Sequence, residues 1–216
     1  MRIGIIGAGW LGGTVGHAWV ETGHEVCFSS RHPERLGAMV RALGPRASAG
    51  TLAEASAFGE AVLIAVPYRA LQDIGRDLHV MLKGKIVLDA CNPYPPDPEP
   101  FRREIEAEGV ALATARYLPD TRLVRAFSAV DATDVGASAV GRGEKLGVPL
   151  ASDDAGALEI VEQLVRDAGC APLVVGGLAD ARCFQRGGPG FRANTSLAQL
   201  RRLLAPHIKP GHAAAP

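Results

Sequence analysis

The residues with the clearest chemical consequence are Gly7-Ala8-Gly9-Trp10-Leu11-Gly12, a G-x-G-x-x-G spacing. The run lies between an apolar stretch (2–7) and a segment whose Leu11, Val15, Ala18 and Trp19 fall on one helical face, so it reads as the turn from a strand into a helix. In that setting the glycines have separate tasks. Gly7 permits a tight turn, Gly9 leaves the backbone open to a pyrophosphate, and Gly12, with Gly16 one turn on, lets helix and strand pack closely. The free N–H groups at the start of the helix would receive the phosphates. The bland alternative is a tight turn in a chain that holds 26 glycines.

The next apolar run ends in Ser29-Ser30-Arg31, where a carboxylate would be expected if both ribose hydroxyls of NAD were to be held. A carboxylate would repel a 2′-phosphate. Two hydroxyls and a guanidinium fork suit one, and Arg35, a helical turn on, adds charge. The expected cofactor is therefore NADP(H), against the plainer reading of a solvated turn with a surface arginine.

Later strand ends should face the same crevice. Val66-Pro67-Tyr68 is expected beside the nicotinamide ribose. In Ala90-Cys91-Asn92-Pro93 the amide of Asn92 is expected to hold the carboxamide or the substrate, and Cys91 reads as packing. Phe127-Ser128-Ala129 follows. Tyr68, Asn92 and the loop 93–100 should border the free face of the ring, with Arg182 and Arg186 of segment 176–188 meeting an anionic substrate. These residues contain no nucleophile–base pair, so no catalytic side chain is assigned.

Those residues need strands and helices to hold them. Short apolar runs at 2–7, 24–30, 61–67, 85–90, 122–130, 147–152 and 171–177 read as strands, with a weak one near 46–50. Helical patterns fill 33–44, 51–59, 68–82, 99–108, 110–118, 153–169 and 194–205. Apolar strands joined by helices imply an α/β fold, a doubly wound and mostly parallel sheet of Rossmann type covered on both faces. Residues 1–140 are expected to form the NADP-binding domain, 141–205 a small C-terminal α/β extension packed on it, and 206–216 a disordered tail. Apolar residues make up 47% and charged residues 21%, as in a soluble globular enzyme, and a net charge of zero argues against a nucleic-acid partner. No apolar run reaches membrane-spanning length, and the apolar start is too short for a signal peptide. The four cysteines form no CxxC pair, which suits a reduced, cytoplasmic setting, and the histidines lack metal-ligand spacing, so no metal is expected. Leu197, Leu200, Leu203 and Leu204 give the last helix an apolar side that would pack on its own domain or form a homodimer contact.

On "MRIGIIGAGWLGGTVG", "GHEVCFSSR", "AVLIAVPYRAL", "KIVLDACNPY", "LVRAFSAV" and "GVPLASDDAGALEIVEQLVRDAGCAPLVVGGLADAR", the chain resembles the coenzyme F420-dependent NADP oxidoreductases up to about Arg186. The resemblance implies a dinucleotide-binding domain with a small C-terminal extension. It also implies hydride transfer directly between nicotinamide and a stacked deazaflavin, with Ser30 and Arg31, next to Ser29, as the phosphate site. The chain departs from the pattern at Ser128, where the family often has Asn, and in the loop "YPPDPEP". The expected partner is a small-molecule redox acceptor: coenzyme F420, a flavin or a quinone. Two other readings are an imine or hydroxyacid reductase of the pyrroline-carboxylate reductase type, which the short stretch after the sixth strand disfavours, and an NADPH-binding regulator without turnover.

Overall fold

The computed structural model describes residues 1–94 and 99–209, with the side chains of 99–101 outside that description. The chain runs β1 (Arg2–Ile6), α1 (Trp10–Glu21), β2 (Glu25–Ser29), α2 (Gly37–Leu43), β3 (Ala47–Gly50), α3 (Leu52–Phe58), β4 (Ala61–Ile64), α4 (Leu71–Leu82) and β5 (Ile86–Asp89). It continues through α5 (Glu99–Glu108), α6 (Val110–Tyr117), β6 (Arg122–Arg125), α7 (Ala132–Ala139), β7 (Gly147–Ala151), α8 (Ala155–Asp167), β8 (Ala171–Gly176) and α9 (Leu197–Leu204).

All eight strands form one sheet in the order β3-β2-β1-β4-β5-β6-β7-β8. Every neighbouring pair is parallel except β6 and β7. The doubly wound, mostly parallel fold is as expected. The order reverses between β1 and β4, and the carboxyl ends of strands at such a switch open a crevice. Because both faces are covered, successive strand residues feed two different cores. Ile3, Ile5, Leu63 and Leu88 pack under α1 and α8, while Ile6, Val62, Ile64 and Val87 pack under α4, α6 and α9. Trp19 of α1 seals the first core, its indole N–H donating to the Leu164 carbonyl of α8 at 2.7 Å.

Local signals place several boundaries. Thr51 and Glu54 form the expected capping box at the start of α3: the Thr51 hydroxyl accepts from the Glu54 N–H, and the Thr51 N–H donates to Glu54 Oε2 at 2.7 Å. Asp154 caps α8 by accepting from the Ala157 N–H at 2.8 Å, and it also takes a fork from Arg122 at 2.7 and 2.9 Å. The Arg122 hydrogen bond, followed by that backbone N–H, holds the Asp154 carboxyl down at about 2. Its neighbour Asp153 instead accepts from the Leu178 N–H at 3.0 Å.

The sixth strand departs from the expected span 122–130. It ends at Arg125 because Phe127 adopts φ 56°, a left-handed conformation that extended pairing does not tolerate, and the chain then turns into α7, a helix not foreseen. The expected helix 33–44 opens as a 3-10 turn, Pro33–Leu36, before α2. A second unforeseen element is the 3-10 helix Leu178–Phe184. Strands β7 and β8 extend the same sheet, and α9 buries Leu200 and Leu204 against this part of the molecule while Leu203 stays exposed. Of the expected tail, Ala205–His207 is a 3-10 turn and the Lys209 N–H donates to the Val175 carbonyl at 3.0 Å. Residues 210–216 lie outside the described residues.

A candidate dinucleotide cleft

The glycine turn is built as its spacing requires. Gly7 has φ 101°, and its N–H and that of Ala8 both donate to the Ser29 carbonyl, at 3.2 and 2.9 Å, tying the turn to the tip of β2. A Cβ on Gly12 would lie 2.2 Å from the Gly7 carbonyl oxygen, so only glycine lets α1 approach β1 this closely. At Gly9 a Cβ would meet nothing within 4 Å. Gly9 is also the N-cap of α1, with no side-chain cap and no acidic residue in the first turn. The helix therefore presents N–H groups to open space beside a bare backbone, which fits a pyrophosphate. Trp10, 75% exposed, and Leu11 flank that opening.

The tip of β2 differs in one respect from the sequence expectation. Ser29 is fully buried and its hydroxyl donates to the Ile5 carbonyl at 2.7 Å, so this side chain belongs to the sheet and only Ser30 remains as a hydroxyl facing the tip. Ser30 Oγ accepts from the His32 N–H at 3.0 Å, shaping the turn. Arg31 and Arg35 are both exposed and form no ion pair with any of the described residues. Two unengaged guanidiniums next to the end of β2 suit a 2′-phosphate and do not suit the bare ribose hydroxyls of NAD.

Beyond the glycine turn lies a cleft of about 510 Å³ over the strand switch. Val66, Pro67 and Asn92 line it. Tyr68 does not. It is 2% exposed, packs edge-on against Tyr117 at 6.2 Å, and donates to the Val110 carbonyl at 3.4 Å. Burial raises its phenol well above the ordinary value, so it is a neutral core group under α6 and not a border of the cleft.

Asn92 is held from two sides. Its Oδ1 accepts from Arg125 Nη2 at 2.8 Å and its Nδ2 donates to the Ser128 carbonyl at 2.7 Å. Arg125 is wholly buried and pairs with the equally buried Asp89 at 2.6 Å, while donating also to the Cys91 carbonyl at 2.5 Å. Asp89 accepts from the Cys91 N–H at 2.9 Å. The Cys91 thiol, 1% exposed, donates to the Ile64 carbonyl at 3.4 Å, and burial pushes its pKa up, as suits a packed thiol. Phe127 bends the backbone between this network and the cleft; its left-handed φ costs about 1–3 kcal/mol, and its ring is fixed edge-on to Trp19 at 6.1 Å.

The two arginines expected at the far side separate. Arg182 donates to the Ala107 carbonyl at 2.5 Å and so caps the end of α5, outside the cleft lining. Arg186 stands 4.9 Å over the ring of Tyr94, which does line the cleft. Among the loop residues 93–100 expected to overhang the site, 95–98 lie outside the described residues. Sequence reasoning missed Asp131, Phe191 and Arg192. Arg192 forks onto Asp131 Oδ2 at 3.1 and 2.8 Å, Asn194 donates to the same oxygen at 2.6 Å, and the Arg192 hydrogen bond leads in holding the Asp131 carboxyl below its usual range. The one available signal was Asp131 itself, a helix N-cap residue ahead of α7.

A glycine turn, an open helix N-terminus, a basic tip on β2 and a cleft at the strand switch sit together on a Rossmann-type α/β fold. Residues 2–93 match the family described as NADP oxidoreductase coenzyme F420-dependent, in line over that stretch with the resemblance read from the sequence. Metalloreductase STEAP3 of Rattus norvegicus is 28% identical over 181 residues, 84% of this chain, and the chain spans 35% of that protein's length. Among solved structures, the hypothetical protein SMa0349 of Sinorhizobium meliloti superposes with a TM-score of 0.78 at 25% identity, over 91% of this chain and 95% of that one. A protein of Arthrobacter sp. FB24, provisionally named an F420-dependent NADP reductase, gives 0.68 at 22% over 84% and 87%. A pyrroline-5-carboxylate reductase of Coxiella burnetii gives 0.61 at 14% and is covered over only 65% of its length, a likeness of fold alone. Among the described residues, no helix is long and apolar enough to cross a membrane.

Proposed function

We propose that the chain binds NADP(H) and passes hydride directly between the nicotinamide and a planar redox-active ring, coenzyme F420 being the first candidate and a flavin or a quinone the others. The observation that carries this reading is the lining of the cleft: Trp10, Leu11, Val66, Pro67, Tyr94, Phe127 and Phe191 dominate it, and among its described residues there is no His, Cys or Lys to act as base or nucleophile. The bound cofactor would supply the hydride. The protein would supply position and exclusion of water, which is what a direct transfer requires. Arg186 and Arg192 stand where an anionic tail of the acceptor would pass. An imine reductase reading would need a partner group for proton delivery; of the two carboxylates among the described lining residues, Asp131 and Asp134, the first is engaged by Arg192 and Asn194.

The test is single-turnover oxidation of deuterated NADPH against deazaflavin, flavin and quinone. Deuterium on the ring carbon of the deazaflavin is the expected result. If no ring accepts hydride faster than in buffer while NADPH still binds, a regulator that only binds the nucleotide takes its place. Cofactor choice is tested separately. A hydrogen bond to a charged group contributes about 1.5–3 kcal/mol, so Arg31→Ala should weaken NADPH about 10- to 150-fold and leave NADH nearly unchanged. Titrations showing equal losses for both nucleotides would remove the 2′-phosphate assignment.

A further inference from the structure

Ser128 is 4% exposed, and its hydroxyl oxygen is one of the few buried polar side-chain atoms with no hydrogen-bond partner among the described residues. A buried hydroxyl left without a partner costs stability, so such an atom in a native protein calls for an explanation. Here it belongs to a residue that lines the cleft. Its backbone is not free to drift: the preceding Phe127 is locked in a left-handed conformation, and the Ser128 carbonyl is held by Asn92 Nδ2. The chain Asp89–Arg125–Asn92–Ser128 thus runs from the buried end of β5 to the residue that carries this unpartnered hydroxyl.

The chemistry of the pair narrows what it meets. Arg125 donates to Asn92 Oδ1 and the Ser128 carbonyl takes one N–H of Nδ2, which leaves Asn92 a second N–H to donate. A serine hydroxyl both donates and accepts. A fixed donor beside an acceptor is the complement of a primary carboxamide, whose oxygen accepts and whose nitrogen donates. We infer that the Ser128 hydroxyl and the free N–H of Asn92 together bind the carboxamide of the nicotinamide, Ser128 accepting from its NH2 and Asn92 donating to its oxygen, and so set which face of the ring looks into the cleft. This assignment rests on the NADP(H) reading of the cleft.

The experiment compares wild type with Ser128→Ala by calorimetric titration of two ligands, NADP+ and 2′-phospho-ADP-ribose, which lacks the nicotinamide. Loss of one neutral hydrogen bond should weaken NADP+ about 2- to 13-fold and leave 2′-phospho-ADP-ribose unchanged. Thermal melting gives a second readout of opposite sign. Removing a hydroxyl that has no partner should leave the melting temperature of the ligand-free variant equal to or above that of wild type, whereas a structural role would lower it. Equal weakening of both ligands, no weakening of NADP+, or a less stable ligand-free variant each overturns the assignment. If wild type binds 2′-phospho-ADP-ribose and NADP+ equally, the carboxamide contact is absent. If it binds neither, the NADP(H) reading itself falls.

Discussion

Gly9→Val should lose dinucleotide binding and keep its fold. The two halves of that expectation come from different observations. Gly9 has an extended backbone, φ −77° and ψ −160°, which valine adopts readily, and an added Cβ meets nothing within 4 Å. The protein itself therefore offers no resistance to the substitution. The space the isopropyl group would enter is where the pyrophosphate must come to reach the N–H groups at the start of α1. Displacing it from two charge-assisted hydrogen bonds weakens binding by about 10²- to 10⁴-fold. Calorimetry with NADPH, beside a far-ultraviolet spectrum and a melting curve, checks both halves. Retention of wild-type affinity would reduce the glycine motif to a turn. By contrast, a Cβ at Gly12 would lie 2.2 Å from the Gly7 carbonyl oxygen and disturb the fold itself, so the two glycines are expected to fail in different ways.

Asp89→Asn is expected to produce the largest loss of stability. The substitution keeps the shape of the side chain and an oxygen that can still accept from the Cys91 N–H, but it leaves the fully buried Arg125 guanidinium without its counter-charge. Removing one partner of a buried pair costs about 3–5 kcal/mol, out of the roughly 5–15 kcal/mol that keeps a domain folded. The midpoint of urea unfolding should fall accordingly. A double variant, Asp89→Leu with Arg125→Met, removes both charges and should recover much of the lost stability, since an apolar pair of similar volume is often no worse than a buried ion pair. It should not recover NADP+ affinity, because Asn92 would have lost the guanidinium that orients its amide. A single variant as stable as wild type would mean that water reaches the pair.

What could be read from the sequence was whatever a short window carries. The G-x-G-x-x-G turn, the capping box at Thr51 and Glu54, and the strand–helix alternation each depend on neighbours within a few residues, and the structure has them all. Side-chain direction depends on what lies across the sheet. Tyr68 follows a strand end at the switch point, yet it turns under α6, more than forty positions away in sequence. Arg182 lies on a 3-10 helix that no periodicity announced, and it faces the carbonyls at the end of α5. Ser29 was more accessible to reasoning. Val26 and Phe28 share the α1 face of β2, so the two-residue period puts Ser29 on the other face, and in a sheet covered on both sides that face is also buried. Arg192 and Asp131 meet across 61 positions, and no local pattern couples them.

The chain's two tryptophans give it a pair of separate optical reporters. Trp19 lies wholly inside the first core, clamped between Phe127 and the Leu164 carbonyl, whereas Trp10 stands 75% exposed at the mouth of the nucleotide turn. Emission from the buried indole comes from an apolar, shielded ring and follows the integrity of the sheet. Emission from the exposed indole is red-shifted and open to collisional quenchers, and a reduced nicotinamide bound in the proposed cleft would absorb at its emission wavelengths. Folding and occupancy can therefore be watched at once in the unlabelled protein, with a water-soluble quencher telling one signal from the other.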